Sequence, residues 1–88
     1  MINAKEAREL SNRIKEYKNK LQSHMNQIEK DIKYHALFTE DKSILYEIID
    51  VNDLYSLTID LSNMLEEHGY KVKIVENGIT YNTIQISW

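Results

Sequence analysis

Apolar residues in the first part of the chain recur as Ala7, Leu10, Ile14, Tyr17, Leu21, Met25, Ile28 and Ile32, with His35 next in line. Steps of three and four throughout mark one face of an α-helix. Asn3 and Glu6 have the form of a capping box at its start. Neither Gly nor Pro interrupts residues 1–36, so the pattern predicts one long helix over that span. Two consecutive four-steps, Tyr17–Leu21–Met25, form a stutter that relaxes any left-handed supercoil. A break near Gln22–His24 is the alternative to a straight helix. At 1.5 Å per residue a straight helix would run roughly 50 Å, longer than so small a body is wide. Part of its apolar stripe must then be covered from outside the domain. Glu9–Arg13, Glu16–Lys20 and Glu29–Lys33 have the favoured spacing for ion pairs along it.

The period changes after the polar stretch Thr39–Ser43. Ile44–Ile49 is a short run of β-formers and reads as a strand. Asn52 and Asp53 can cap a second helix with Leu54, Leu57, Leu61, Met64 and Leu65 on one face. Gly69 suits its left-handed end, with Tyr70 folding back on Leu65. Val72 and Ile74, then Ile84, Ile86 and Trp88, alternate with polar residues as two strands around the turn signal Asn77-Gly78. A two-residue hairpin would put Ile79 and Tyr81 out of phase with Ile84 and Ile86. A bulge near Asn82-Thr83 or a wider loop is therefore expected, with Trp88 closing the core or a subunit contact. The fold expected is α+β: a long N-terminal helix, then β-α-β-β over residues 44–88, in a single domain spanning 1–88. Its sheet is expected to be three-stranded and mixed, the first two strands parallel through a right-handed crossover, with both helices on one face.

Composition narrows the function. Eighty-eight residues without cysteine have neither disulfide nor thiolate metal site to reinforce a small core. Oligomerisation is the natural supplement. Asn3, Lys5, Glu6, Arg8 and Glu9 break any apolar run near the amino end, so an export signal is not expected. No stretch reaches the roughly 18 apolar residues of a membrane span. A cytoplasmic location follows as the expectation. The formal net charge of −3 is unevenly spread: +3 over residues 1–37, −7 over 38–70 and +1 over 71–88. That division permits head-to-tail self-association or a charged partner.

Chemistry is sparse. Asp31 and His35 are four apart on the first helix, but no second pair completes a ligand set, so no metal or cofactor is expected. There is no Gly-rich phosphate loop and no nucleophile elbow, which argues against an enzyme. The lysines of the first helix are mixed with Glu6, Glu9 and Glu16, the pattern of a solvated face, so direct nucleic-acid binding is not expected. Exposure of the apolar stripe makes Leu10, Ile14, Tyr17 and Leu21 the candidate residues for self-association, with a dimer favoured. The acidic middle and its tyrosines make Glu40, Asp41, Tyr46, Glu47, Asp50 and Tyr55 the candidate surface for a partner.

The segments NAKEARELSN (Asn3–Asn12), LEEHGYKVKI (Leu65–Ile74) and IQISW (Ile84–Trp88) resemble small accessory proteins of tailed phages that infect low-GC Gram-positive bacteria. Twelve isoleucines, nine lysines and eight asparagines fit an AT-rich genome. The resemblance lies at the two ends of the chain and transfers no functional residue. It implies a non-enzymatic protein of the infected bacterial cytoplasm that binds and inhibits a host protein, in host takeover or anti-defence. The alternatives are an oligomeric sponge for a small signalling nucleotide and a minor structural or assembly protein.

Overall fold

The computed structural model describes residues 1–88. Helix α1 covers Ala4–Phe38, followed by β1 (Ser43–Ile49), α2 (Leu54–Glu67), β2 (Lys71–Asn77) and β3 (Tyr81–Ser87). The α+β order and the element boundaries match the pattern of the sequence closely. α1 is unbroken through Gln22–His24, so the stutter does not divide it. It sets the 55 Å long axis of a molecule only 25 × 18 Å across. Asn3 caps it, its side-chain oxygen accepting the Glu6 backbone N–H at 2.9 Å.

The sheet differs from the expectation. Its order is β1-β3-β2, and both pairings are antiparallel. β1 and β2 run the same way, as a crossover through α2 requires, but they are not neighbours. β3 fills the slot between them and makes the sheet antiparallel rather than mixed. Composition explains the choice. β3 buries Asn82, Ile84 and Ile86 and suits the centre, whereas β2 carries Lys71, Lys73 and Glu76, charges that protect an edge.

The phase conflict in the hairpin is resolved on β2. Ile74 faces Ile84 and Glu76 faces Thr83, so Val75 is the bulged extra residue, on the strand opposite the one expected. The connection is also wider than two residues, with Gly78, Ile79 and Thr80 between the strands and the Gly78 N–H donating to the Tyr81 carbonyl at 2.7 Å. A Cβ at Gly78 would lie 2.5 Å from the Tyr81 ring, so glycine is needed there for space.

Both helices pack on one face of the sheet. Ile28 from α1 and Leu57, Leu61 and Leu65 from α2 meet Ile44, Ile48, Ile84 and Ile86 in one core. α2 closes with Gly69 at φ +91°. The Tyr70 N–H reaches the Leu65 carbonyl and the Gly69 N–H the Glu66 carbonyl, the paired bonds of a Schellman ending. Trp88 does not close the core. Its backbone N–H donates to the Lys42 carbonyl at 2.9 Å, and the residue is 39% exposed.

Candidate interaction surfaces

α1 outruns the body that covers it. From Tyr17 to Ile32 its stripe packs against the core, but Leu10 and Ile14 stand 46% and 58% exposed on the overhanging turns. The four residues proposed for self-association therefore divide. Tyr17 and Leu21 are engaged inside the monomer, and the Tyr17 hydroxyl donates to Asp60. Burial first, then that hydrogen bond, pushes the Tyr17 phenol well above its ordinary pKa. Only Leu10 and Ile14 remain free.

Where the overhang meets the amino end of α2 lies an open cleft of about 960 Å³, with Arg13, Ile14 and Lys18 on one wall and Asp53, Ser56 and Asp60 on the other. Lys20 spans its floor, 2.9 Å from Asp53 and 3.1 Å from Asp50. This replaces the expected Glu16–Lys20 pair: of the three helical ion pairs predicted, only Glu29–Lys33 closes, at 3.6 Å. The Asp50 carboxylate also accepts the backbone N–H groups of Asn52 and Asp53 at 2.9 and 2.8 Å. The Asp53 N–H bond is the main force holding the Asp50 carboxyl below its ordinary pKa, and Lys20 adds to it. Asp53 occupies the N-cap position without a side-chain capping bond, because its carboxylate turns to Lys20 instead. The hydrogen bond that Lys20 donates to Asp53, and then the one to Asp50, raise the Lys20 pKa.

The second surface is the face of the sheet that neither helix covers. Strand alternation sends Ile44, Tyr46 and Ile48 inward and Leu45, Glu47 and Ile49 outward. Leu45 and Ile49 are 66% and 64% exposed. Ile49 pairs with Tyr81, whose hydroxyl donates to Glu76 at 2.6 Å, a bond that raises the phenol's pKa. Val51 and Tyr55, both exposed, follow at the end of β1.

The six residues expected to form one partner surface do not lie together. Glu47 is on the uncovered face. Tyr46 points the other way, its hydroxyl 2.6 Å from His24 Nδ1 with the two rings edge to face. Asp50 is committed to Lys20 and the backbone. Glu40 and Asp41 sit on the loop before β1, Asp41 3.3 Å from His35, whereas Tyr55 lies beyond its far end. Period-two alternation alone could have separated Tyr46 from Glu47. Leu45 and Ile49 sit in the run Ile44–Ile49, whose apolar residues fall on both faces and so give no period-two signal, and Val51 lies just beyond it.

His24 takes a place in the stripe as a polar member, and burial lowers its pKa. A folded-state pKa below the unfolded value of about 6.5 means the stabilisation is full above that pH and is lost as pH falls through the folded value. Urea denaturation should therefore show stability falling as pH drops below about 6.5, and His24→Gln should flatten that slope. Tyr46→Phe, leaving His24 Nδ1 without its partner, should cost about 1 kcal/mol.

No group of three or more His, Asp or Glu side chains is placed to hold a metal ion. Asp31 accepts from Gln27 at 3.2 Å, and His35 turns to Asp41, so the pair considered from sequence does not form. No helix is long and apolar enough to cross a membrane. No protein-family model, curated protein or solved structure matches the chain.

Proposed function

We propose that the protein is a non-enzymatic binder that engages and inhibits a protein of a bacterial host, in the phage setting that its two chain ends resemble. The observation that supports this reading is the pair Leu45 and Ile49, two-thirds exposed on the uncovered face of the sheet, with Glu47 between them. Their strand neighbours Ile44 and Ile48 fill the core, so the outward pair has no role in holding the monomer together. Gln85 pairs with both Leu45 and Lys73, so the same face carries Lys71 and Lys73 of β2 as well as Glu47 and Glu76. A matching partner presents an apolar patch rimmed by polar groups of both signs, and inhibition follows by covering it.

The nucleotide-sponge reading has the cleft between α1 and α2 in its favour, with Arg13, Lys18 and Lys20 along it. The carboxylates of Asp53 and Asp60 in the same cleft count against it, since they repel phosphate and Asp53 already holds Lys20. The binding reading is the stronger.

Its test is capture from a Gram-positive host lysate by the tagged chain, in parallel with a Leu45→Lys, Ile49→Lys variant. One stoichiometric protein should be retained by the parent chain, released as salt rises, and absent from the variant. The variant should keep its Tm, since surface changes of this kind shift stability by about 0.5 kcal/mol or less. Equal capture by both chains would remove the sheet face from the mechanism. A thermal shift with nucleotides and no captured protein would favour the sponge.

A further inference from the structure

We infer that two copies of this chain associate through the overhanging turns of α1, antiparallel, with Glu6 of each copy against Arg13 of the other. The apolar seam is the remainder of the stripe before α2 begins to cover it, the exposed Leu10 and Ile14 with the half-buried Ala7. In heptad terms Glu6 and Arg13 flank that seam on one side, seven residues apart, while Ser11 and Lys18 flank the other.

Charge and bulk together select the orientation. In a parallel pair the flanking contacts would be Glu6 with Ser11 and Arg13 with Lys18, the second repulsive and occurring twice. The two bodies, which both lie on the stripe side from Tyr17 onward, would also collide at the same level. An antiparallel pair that sets Leu10 opposite Ile14 puts Arg13 against Arg13 and needs the stripe at Tyr17, where Asp60 and the core already hold it. Shifting by one heptad removes both faults. Leu10 then meets Ala7 of the second copy, Ile14 meets Asn3, and Glu6 meets Arg13 twice. The exposed Ile2 arrives beside Ile14 at the mouth of the cleft. The shared stretch is residues 3–14, roughly 18 Å at the helical rise, and it coincides with the overhang. This surface lies on the helix overhang and does not depend on the sheet face.

The test is sedimentation equilibrium over a range of concentrations, with circular dichroism on each variant to confirm that the helix remains. The parent chain should show a monomer–dimer equilibrium, and Leu10→Asp should be monomeric throughout. Arg13→Glu and Glu6→Arg should each weaken association on the order of tenfold, because each reverses two contacts. The double variant Glu6→Arg, Arg13→Glu should recover it. A parent chain that stays monomeric, or a dimer indifferent to Leu10→Asp, overturns the surface. Failure of the double variant to recover overturns the antiparallel register.

Discussion

Ile28→Ala is expected to destabilise the fold by about 3 kcal/mol, whereas Ile14→Ala should cost less than about 0.5. Both are isoleucines on the same stripe of the same helix, two heptads apart. Ile28 is fully buried, the only residue of α1 to be so, and sits among Ile44, Ile48 and the leucines of α2. Truncating it removes three carbons and leaves a cavity where helix and sheet meet. Ile14 is more than half exposed on the overhang. Its loss removes little buried area in the monomer, and alanine is the better helix former by a few tenths of a kcal/mol. In a domain of this size about 3 kcal/mol is a large share of the total stability. Urea denaturation at concentrations low enough to keep the chain monomeric reads both values. Equal costs at the two positions would mean that the overhang is covered in the monomer.

The contrast marks how far the sequence could be read. Periodicity located every element, because the steps of Ala7 through Ile32 and the alternation of Ile84 and Ile86 are local properties of helix and strand. The end of α2 was equally plain, since Gly69 with Tyr70 after a leucine-rich face is a local signal. Strand order was not. Whether β3 pairs beside β2 alone or inserts between β2 and β1 depends on which strand tolerates burial from both sides. The lysines of β2 and the buried Asn82, Ile84 and Ile86 of β3 held that information without a local signature. The candidate site suffered for a related reason. Acidic residues close in sequence were grouped as a surface, but alternation sent Tyr46 inward and Lys20 drew Asp50 into a structural role. An aspartate three residues before an aspartate at a helix N-cap position is a signal that both carboxylates have local work to do.

Asp50 accordingly carries the second large effect. Asp50→Ala should cost about 2 kcal/mol, since it leaves the N–H groups of Asn52 and Asp53 without their acceptor and Lys20 without one of its two carboxylates. The carboxylate is only 13% exposed, so these bonds are little weakened by water. Lys20 is more exposed, at 39%, and retains Asp53. Lys20→Met should therefore cost less, about 0.5 kcal/mol, and the difference separates the backbone bonds from the ion pair. The pH dependence has a definite sign. Because the folded carboxyl lies below its ordinary value of 3.8, its contribution is present at neutral pH and is lost as acidification carries pH through the folded pKa. Asp50→Asn keeps one acceptor oxygen but cannot titrate, so it should be less stable than the parent at pH 7 and lose the acid slope attributable to this group. That window lies below the His24 window, and the two variants distinguish them. The position of Asp50 makes the effect more than local. It ties the loop after β1 to α1 at Lys20, nearly two turns beyond Ile14, and so fixes where coverage of the helix ends and the overhang begins. Loosening this clamp should also free the loop that carries Val51, next to Ile49 at the end of β1. Asp50→Asn should then weaken partner capture while leaving self-association through Leu10 and Ile14 intact.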